Sequence, residues 1–454
     1  MTRAVDERTR LLWLDALKGV AMLWIFLVHF VERFLCCPAF ANPDARWPAF
    51  ADRVAQLAPM PGDGAAGVFA NLLRYVGWSG DQGVQLFLIA SGLGLTYSLL
   101  RKGGDINLGS FWAKRFTRLV PEWWLVHIIL IAAYVLVGRG LQATDWRTVA
   151  SFLGLRFLPQ TMYYFSSAWW FLGLIMQFYL VFPLLFRLVR RVDGTRAAMY
   201  LILAGVGLRA LGLVVLPLVA PGLIDWWSRG ALFVARLPEF AAGMLIAKLL
   251  YEGHPSLTRL TSGPGAVLLW LSIWILGNAA SLTMIGMSVA FLFTGLGAAM
   301  LLWMALARVR SRTVAPARWL GRNSLGFFLV HQIVIVYVVP PTLAPTAIGP
   351  VLVYFAVTLA ASILLGITLH VVSEKLLAIV LSWRASGGWP RVAVRFVLVV
   401  AILAATAISA EVAIRSVAPQ EVDGWGERRA LQTSRSFGYT LIPDSTTRLR
   451  WLGY

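Results

Sequence analysis

Residues 14–30 read LDALKGVAMLWIFLVHF and place Asp15, Lys18 and His29 in a stretch otherwise apolar enough to cross a bilayer. Helical residues advance by about 100° and rise by about 1.5 Å. The step from Lys18 to His29 therefore returns to within about 20° of the same azimuth, roughly 16 Å further along the axis, and Asp15 sits about 40° to the other side. One face of the helix is polar over most of its length. Glu32 follows His29 by three positions, close enough for a carboxylate to orient the imidazole and raise its basicity, as a general base requires. Ionisable groups at membrane depth face a bundle interior or a wet cavity and mark function by default. A plainer reading keeps Asp15 and Lys18 at the interface, with Lys18 snorkelling, and His29 hydrogen-bonded inside the bundle. The shared face and the vertical offset weigh for function.

Such a stripe needs a bundle to face. The chain has 454 residues, 59% of them hydrophobic and 13% charged, with a mean hydropathy of +0.73, which reads as an integral membrane protein of all-α class. Apolar runs of about 20 residues, the length of a spanning helix, predict eleven crossings: 11–34, 82–100, 119–138, 169–189, 198–219, 231–250, 265–283, 287–306, 323–342, 350–373 and 392–414. The net charge of +19, from 40 Lys and Arg against 21 Asp and Glu, would suit nucleic acid or an anionic membrane surface. The charges cluster instead at alternate ends of the spans, as at Arg115 and Arg118, Arg187 to Arg196, and Arg308 to Arg322. That positive-inside pattern puts the N-terminus in the cytoplasm and accounts for much of the charge without nucleic acid. The first apolar run exceeds a signal-peptide core and shows no cleavage site, so it reads as an anchor.

With eleven crossings the tail 416–454 lies outside the cell membrane, too short and polar to fold alone. Residues 1–380 read as the membrane domain, and 381–415 as a linker and an extra transmembrane helix. Two long outer loops, 35–80 and 139–168, suit an acceptor-shaping surface. Adjacent Cys36 and Cys37 read as inert thiols. No ligand spacing suggests zinc or another metal, and no phosphate-binding glycine loop or dinucleotide motif is present.

Other residues have two readings each. Arg115 and Arg118 share a helix face and can grip phosphate with Lys18, or they are ordinary positive-inside charges. Ser91, beside Gly92 and Gly94, is an oxyanion donor or a small residue for close helix packing. Arg236 and Glu239 form a buried pair or a catalytic one. Trp169 and Trp170 stack on a sugar or belong to an interfacial belt.

LDALKG followed by His29 resembles the opening motif of the acyltransferase-3 family of bacterial membrane O-acyltransferases, with Lys18 where that motif has Arg. Lysine keeps the charge and loses the planar fork. Further blocks resemble the family's in order: GVQLFLIASGLGL (83–95), KRFTRLVPEWW (114–124), WWFLGLIMQFYLVFPLL (169–185), RLPEFAAGMLIA (236–247) and LGRNSLGFFLVHQ (320–332), the last carrying His331. Many members carry a Glu in the fourth of these, where this chain has Ile175 and Met176, so no role of that glutamate transfers.

The resemblance implies a bundle of about ten helices in a bacterial inner membrane. It also implies transfer of an acyl group, often acetyl, from cytosolic acyl-CoA as co-substrate, with no permanently bound cofactor. The acceptor would be a hydroxyl of an extracytoplasmic glycan or lipid-linked glycan. Lys18, Arg115 and Arg118 would hold the CoA phosphates, and His29 would act as base or acyl carrier beside Glu32. His331 would sit behind these groups or at the acceptor, and His127, His254 and His370 receive no role. The ending FGYTLIPDSTTRLRWLGY resembles the lead-in to an SGNH-type hydrolase domain, of which no catalytic block is present. A sugar or lipid transporter or flippase would use similar buried charges, although no repeated halves are evident. A membrane scaffold would leave the polar stripe unexplained.

Overall fold

A computed structural model describes residues 7–35, 50–55, 57–136, 146–191, 193–309 and 312–386, with 431–432 and 440–441. Apart from a short antiparallel pairing of Leu431–Gln432 with Thr440–Leu441, the described residues form helices and their connections. The main helices are α1 (Glu7–Glu32), α2 (Gly64–Trp78), α3 (Gln82–Leu100), α4 (Leu108–Leu136), α5 (Trp170–Val189), α6 (Gly194–Val219) and α7 (Ile224–Arg229). They continue with α8 (Leu237–Tyr251), α9 (Gly263–Ala280), α10 (Met287–Leu306), α11 (Ala315–Arg322), α12 (Ser324–Val338) and α13 (Ile348–Ser386). Among the described residues eight helical stretches are long and apolar enough to cross a membrane, or nine if one bent pair counts as a single span.

Ten of the eleven predicted spans have a counterpart, and the eleventh, 392–414, lies outside the described residues, as do Cys36 and Cys37. Four counterparts differ in ways that matter. The second span reaches back through α2, so Gly64–Leu100 is one apolar stretch of 37 residues; Val68 and Leu72 of α2 are exposed, although this segment read as loop because glycines dilute its pattern. The third begins at Leu108, where Asn107 accepts a hydrogen bond from the Ser110 amide at 3.0 Å, as a capping side chain does. The sixth is broken: Pro221–Arg229 and Phe233–Tyr251 meet at 50°. The ninth, α12, has only 15 residues. The predicted loop 139–168 holds a further helix, Trp146–Phe152.

Burial sorts the helices into centre and rim. In the apolar stretches of α1, α2 to α3, α5 and α10, 61%, 67%, 61% and 56% of residues are buried, against 17% in α6 and α9 and 22% in α13. A helix with a polar stripe has to avoid hydrocarbon, and α1 does so at the centre, packed by α2, α3, α10, α11 and α12. Its apolar positions enter an aromatic core in which Phe26, Phe30, Trp123, Phe178, Phe182, Phe240 and Phe327 are fully buried. Phe178 and Phe240 stack at 4.2 Å, tying α5 to α8. Close approach depends on small residues: a Cβ at Gly92 would meet the Phe240 carbonyl, and one at Gly243 the Ile89 carbonyl, so α3 and α8 touch backbone to backbone.

Candidate functional site

His29 lies near the C-terminal end of α1, and its Nδ1 is 3.0 Å from Glu32 Oε2. An ionised carboxylate only accepts, so Nδ1–H donates and the lone pair is left on Nε2. His29 is 18% exposed and Glu32 52%, so the pair opens to solvent at this end. On the other side stands Gln332 of α12. Its Oε1 accepts from the Ala168 amide (2.7 Å) and from Ser166 Oγ (2.6 Å). Because a backbone N–H can only donate, the amide orientation is set, so its Nε2 donates to Ser167 Oγ and lies 3.4 Å from His29 Nδ1 as a packing contact, since Nδ1 gives its proton to Glu32. His331, one residue earlier, is buried with its ring centroid 5.3 Å from that of His29. Its Nδ1–H donates to the Phe328 carbonyl at 2.7 Å, which leaves Nε2 a lone pair with no hydrogen-bond partner among the described residues.

The segment that presents Ser166, Ser167 and Ala168 to Gln332 is held by Arg156. This fully buried guanidinium donates to Ser151 Oγ (2.6 Å) and to the carbonyls of Met162 (2.9 Å), Tyr164 (2.6 Å) and Ser166 (3.0 Å). Trp123 and Trp169 flank it, with ring centroids 5.8 and 5.6 Å from its Cζ. Burial pushes the guanidinium down to about 9, so it remains a cation at neutral pH. Phe165, between two of the bonded carbonyls, takes a left-handed backbone with φ of 62°, a conformation that a bulky residue keeps only when its surroundings impose it. His127 completes this anchor through Ser151 Oγ (2.9 Å) and the Trp123 carbonyl (2.8 Å).

The break in the sixth span supplies the third wall. Gly230 at the break has φ of 83°, favourable for glycine, and a Cβ there would strike the Arg236 side chain. Next to it Arg229 binds Asp225 at 2.6 Å, whose other oxygen accepts from Tyr163 at 3.0 Å. Glu32, Asp81 and Arg236 lie within electrostatic reach of Arg229. Broken helices of this kind line polar cavities in membrane proteins because the freed backbone groups need partners. Arg236 also lies over the Trp170 ring at 5.7 Å. The Arg236–Glu239 pair is present at 3.2 Å, and Arg209 of α6 joins it at 3.9 Å. Phe291 receives both guanidinium groups, at 4.1 Å for Arg209 and 3.8 Å for Arg236.

At the opposite end of α1 the cations gather. Lys18 is within electrostatic reach of Asp15, Arg118 and Arg115. Asp15 pairs with Arg322 at 3.2 Å, and Arg118 donates to the Arg322 carbonyl at 3.5 Å. Arg115 lies over Phe111 at 5.5 Å, with Tyr179 in reach. Beside them His370 Nδ1 is 2.7 Å from the buried Glu122. Lys18 of α1 and Arg115 and Arg118 of α4 thus share one basic patch, about three turns along α1 from His29. Ser91 is half-buried on α3, one position before Gly92 at the α3–α8 contact. No cluster of potential metal ligands occurs among the described residues.

Sequence reasoning singled out His29, Glu32, His331 and the basic triad as candidates, and did not single out Gln332, Arg156, Arg229, Asp225, Tyr163 and Arg322, which the structure places beside them. A signal existed for two of them. Arg156 and Arg229 fall at the end of the bundle that the charge pattern leaves nearly free of Lys and Arg, so each calls for a partner that keeps it there.

A family model described as an acyltransferase domain matches residues 11–367. Acyltransferase MdmB of Streptomyces mycarofaciens is 28% identical over 298 residues, covering 58% of this chain and 70% of that protein. No solved structure matches.

Proposed function

Since the chain belongs to the acyltransferase-3 family and is a multi-pass membrane acyltransferase, we propose that it moves an acyl group, acetyl first among candidates, from acyl-CoA to a carbohydrate hydroxyl across the bilayer. The observation that carries this reading is the His29–Glu32 contact of 3.0 Å, set roughly 16 Å along one helix from the basic patch at Lys18. In the orientation with the basic end in the cytoplasm, the CoA phosphates meet Lys18, Arg115 and Arg118. The pantetheine arm then runs along α1, and the thioester reaches His29. The acceptor, a glycan or lipid-linked glycan, enters from the opposite side against Trp170 and the broken helix.

In the transfer, His29 Nε2 takes the proton of the acceptor hydroxyl while its oxygen attacks the thioester carbonyl. The C–O bond forms, the C–S bond breaks, and the CoA thiolate leaves with the proton from the imidazolium. Glu32 holds the ring in the tautomer with Nε2 unprotonated and stabilises the imidazolium between these steps, as general acid–base catalysis requires. The same Nε2 is placed to carry the acyl group itself.

Purified protein given acetyl-CoA labelled in its acetyl group should transfer label to envelope glycans. His29→Ala should abolish transfer, and Glu32→Gln should cut kcat by about 10–100-fold, while circular dichroism and thermal unfolding stay close to wild type. Full activity of His29→Ala would refute the assignment. Label on the protein in a single turnover without acceptor selects the acyl carrier, and its absence selects the base.

A further inference from the structure

Asp81 ends the short turn Ser79–Asp81 that joins α2 to α3, inside the apolar stretch Gly64–Leu100. The glycines on either side fix its depth. A Cβ at Gly80 would lie 2.2 Å from the Trp24 carbonyl oxygen, and one at Gly83 2.5 Å from that of Ala21, so this turn rests on the backbone of α1. Asp81 therefore stands at the level of α1 that is about one turn from His29.

Its carboxylate is half-buried. It takes the neighbouring Gln82 amide and lies within electrostatic reach of Arg236 and Arg229, yet it enters no ion pair among the described residues. Each of those cations already has an acid of its own, Arg229 in Asp225 at 2.6 Å and Arg236 in Glu239 at 3.2 Å. Arg229 also feels Glu32, the partner of His29, and Arg236 lies over the ring of Trp170. Asp81 is thus an acid with acceptor capacity to spare, linked through one arginine to the pair at His29 and through the other to an indole. An ionisable group left unmatched at membrane depth marks function by default.

The chemistry of the group selects its ligand. An ionised carboxylate only accepts hydrogen bonds, and its two oxygens can take more than one donor, as the hydroxyls of a sugar supply beside an aromatic ring. Charge narrows the choice further. Three guanidiniums, of Arg209, Arg229 and Arg236, meet four carboxylates here, of Glu32, Asp81, Asp225 and Glu239, so an acidic group on the acceptor would add to an excess of negative charge. Resting on the proposed acceptor side at Trp170 and the broken helix, we infer that Asp81 is an acceptor-binding residue for an uncharged sugar. It takes hydroxyls next to the one presented to His29, and it turns away sugars that bear carboxylate, sulfate or phosphate.

The test uses the full chain in detergent and reads binding at His29 itself. Diethyl pyrocarbonate modifies the free nitrogen of an accessible imidazole, and mass spectrometry gives the rate at His29, with the exposed His254 as control. Methyl glucoside, methyl galactoside or methyl mannoside should slow the reaction at His29 and leave that at His254 unchanged. Methyl glucuronide should need about tenfold more for the same protection. Asp81→Asn keeps the shape and removes the charge, so it should weaken protection by the neutral glycosides about tenfold and narrow the gap to the glucuronide. No protection by any of the neutral glycosides, equal protection by the glucuronide in wild type, or wild-type protection in Asp81→Asn would overturn the inference. The comparison of glycosides on wild type decides alone if the Asp81→Asn protein fails to fold. Protection is read without acyl-CoA, so a protected His29 with no acetyl transfer refutes the proposed reaction and upholds the sugar site, whereas transfer with His29 unprotected does the reverse.

Discussion

Replacing Arg156 by Met keeps an unbranched apolar stem and removes the guanidinium with every donor, which isolates what that group does. Three carbonyls and a hydroxyl, at 2.6 to 3.0 Å from it, each lose a hydrogen bond; Ser151 Oγ keeps His127, and the Tyr164 and Ser166 carbonyls keep the Ser166 and Trp169 amides at 2.8 and 3.2 Å. An unpaired buried acceptor, here the Met162 carbonyl, costs about 1–3 kcal/mol and each of the other lost hydrogen bonds about 0.5–1.5 kcal/mol, so the four together give about 2.5–7.5 kcal/mol. Relief from burying a charge offsets part of this, and breaking buried ionic contacts typically costs about 3–5 kcal/mol, the range expected here. A loss of that size approaches the whole stability of an ordinary domain, about 5–15 kcal/mol, and is larger than one surface segment can absorb. The segment 153–168 should therefore open locally. Ser166, Ser167 and Ala168 would then leave Gln332, and His29 would lose a neighbour that defines its position. Misplacement of a reacting group by about 1 Å can cost about 100-fold. The assays are acetyl transfer, thermal unfolding, and limited proteolysis with cleavage mapped to 153–168. Arg156→Lys, with one ammonium, should fall between the two. An Arg156→Met protein with wild-type kcat, melting temperature and protease resistance would refute the chain of reasoning from Arg156 through Gln332 to His29.

Two further outcomes follow from the ends of the site. If positive charge at Lys18 grips phosphate, Lys18→Met should raise the KM for acetyl-CoA about tenfold or more with a smaller change in kcat, and Lys18→Arg should stay within a few-fold of wild type in both; a KM for acetyl-CoA unchanged in Lys18→Met removes Lys18 from the donor site. Gly230→Ala forces a side chain into a left-handed conformation, at about 1–2 kcal/mol, and against Arg236, so melting temperature and acceptor turnover should both drop; turnover equal to wild type would show that the break is not part of the acceptor wall.

Much of the site was legible because its pieces are local. The His29–Glu32 contact is an i,i+3 pair on one helix, and the common face of Lys18 and His29 follows from the 3.6-residue period alone. Apolar runs located the spans because a bilayer sets their length, and the ordered sequence blocks carried the family. Errors clustered where local pattern is weak. The glycines in α2 hid a helix, and the sixth span read as 231–250 alone, without the segment Pro221–Arg229 that meets it at 50°, because Asp225, Ser228, Arg229 and Gly230 interrupt the apolar run there.

Amino-acid sequence by itself determined that this chain is a bundle of membrane helices, that α1 carries a polar stripe with an acid beside its histidine, and that cations gather at one end. Tertiary structure decided which groups meet. Gln332 reaches His29 across 303 positions and Asp15 reaches Arg322 across 307. Arg156 holds the segment beneath Gln332, and a broken helix brings Arg229 toward Glu32. The physical reason is that helical periodicity orders residues within one element, whereas encounters between elements depend on the rotation and breaks of each helix. Those are set by close packing at positions such as Gly92, Gly243 and Gly230, which no local spacing encodes.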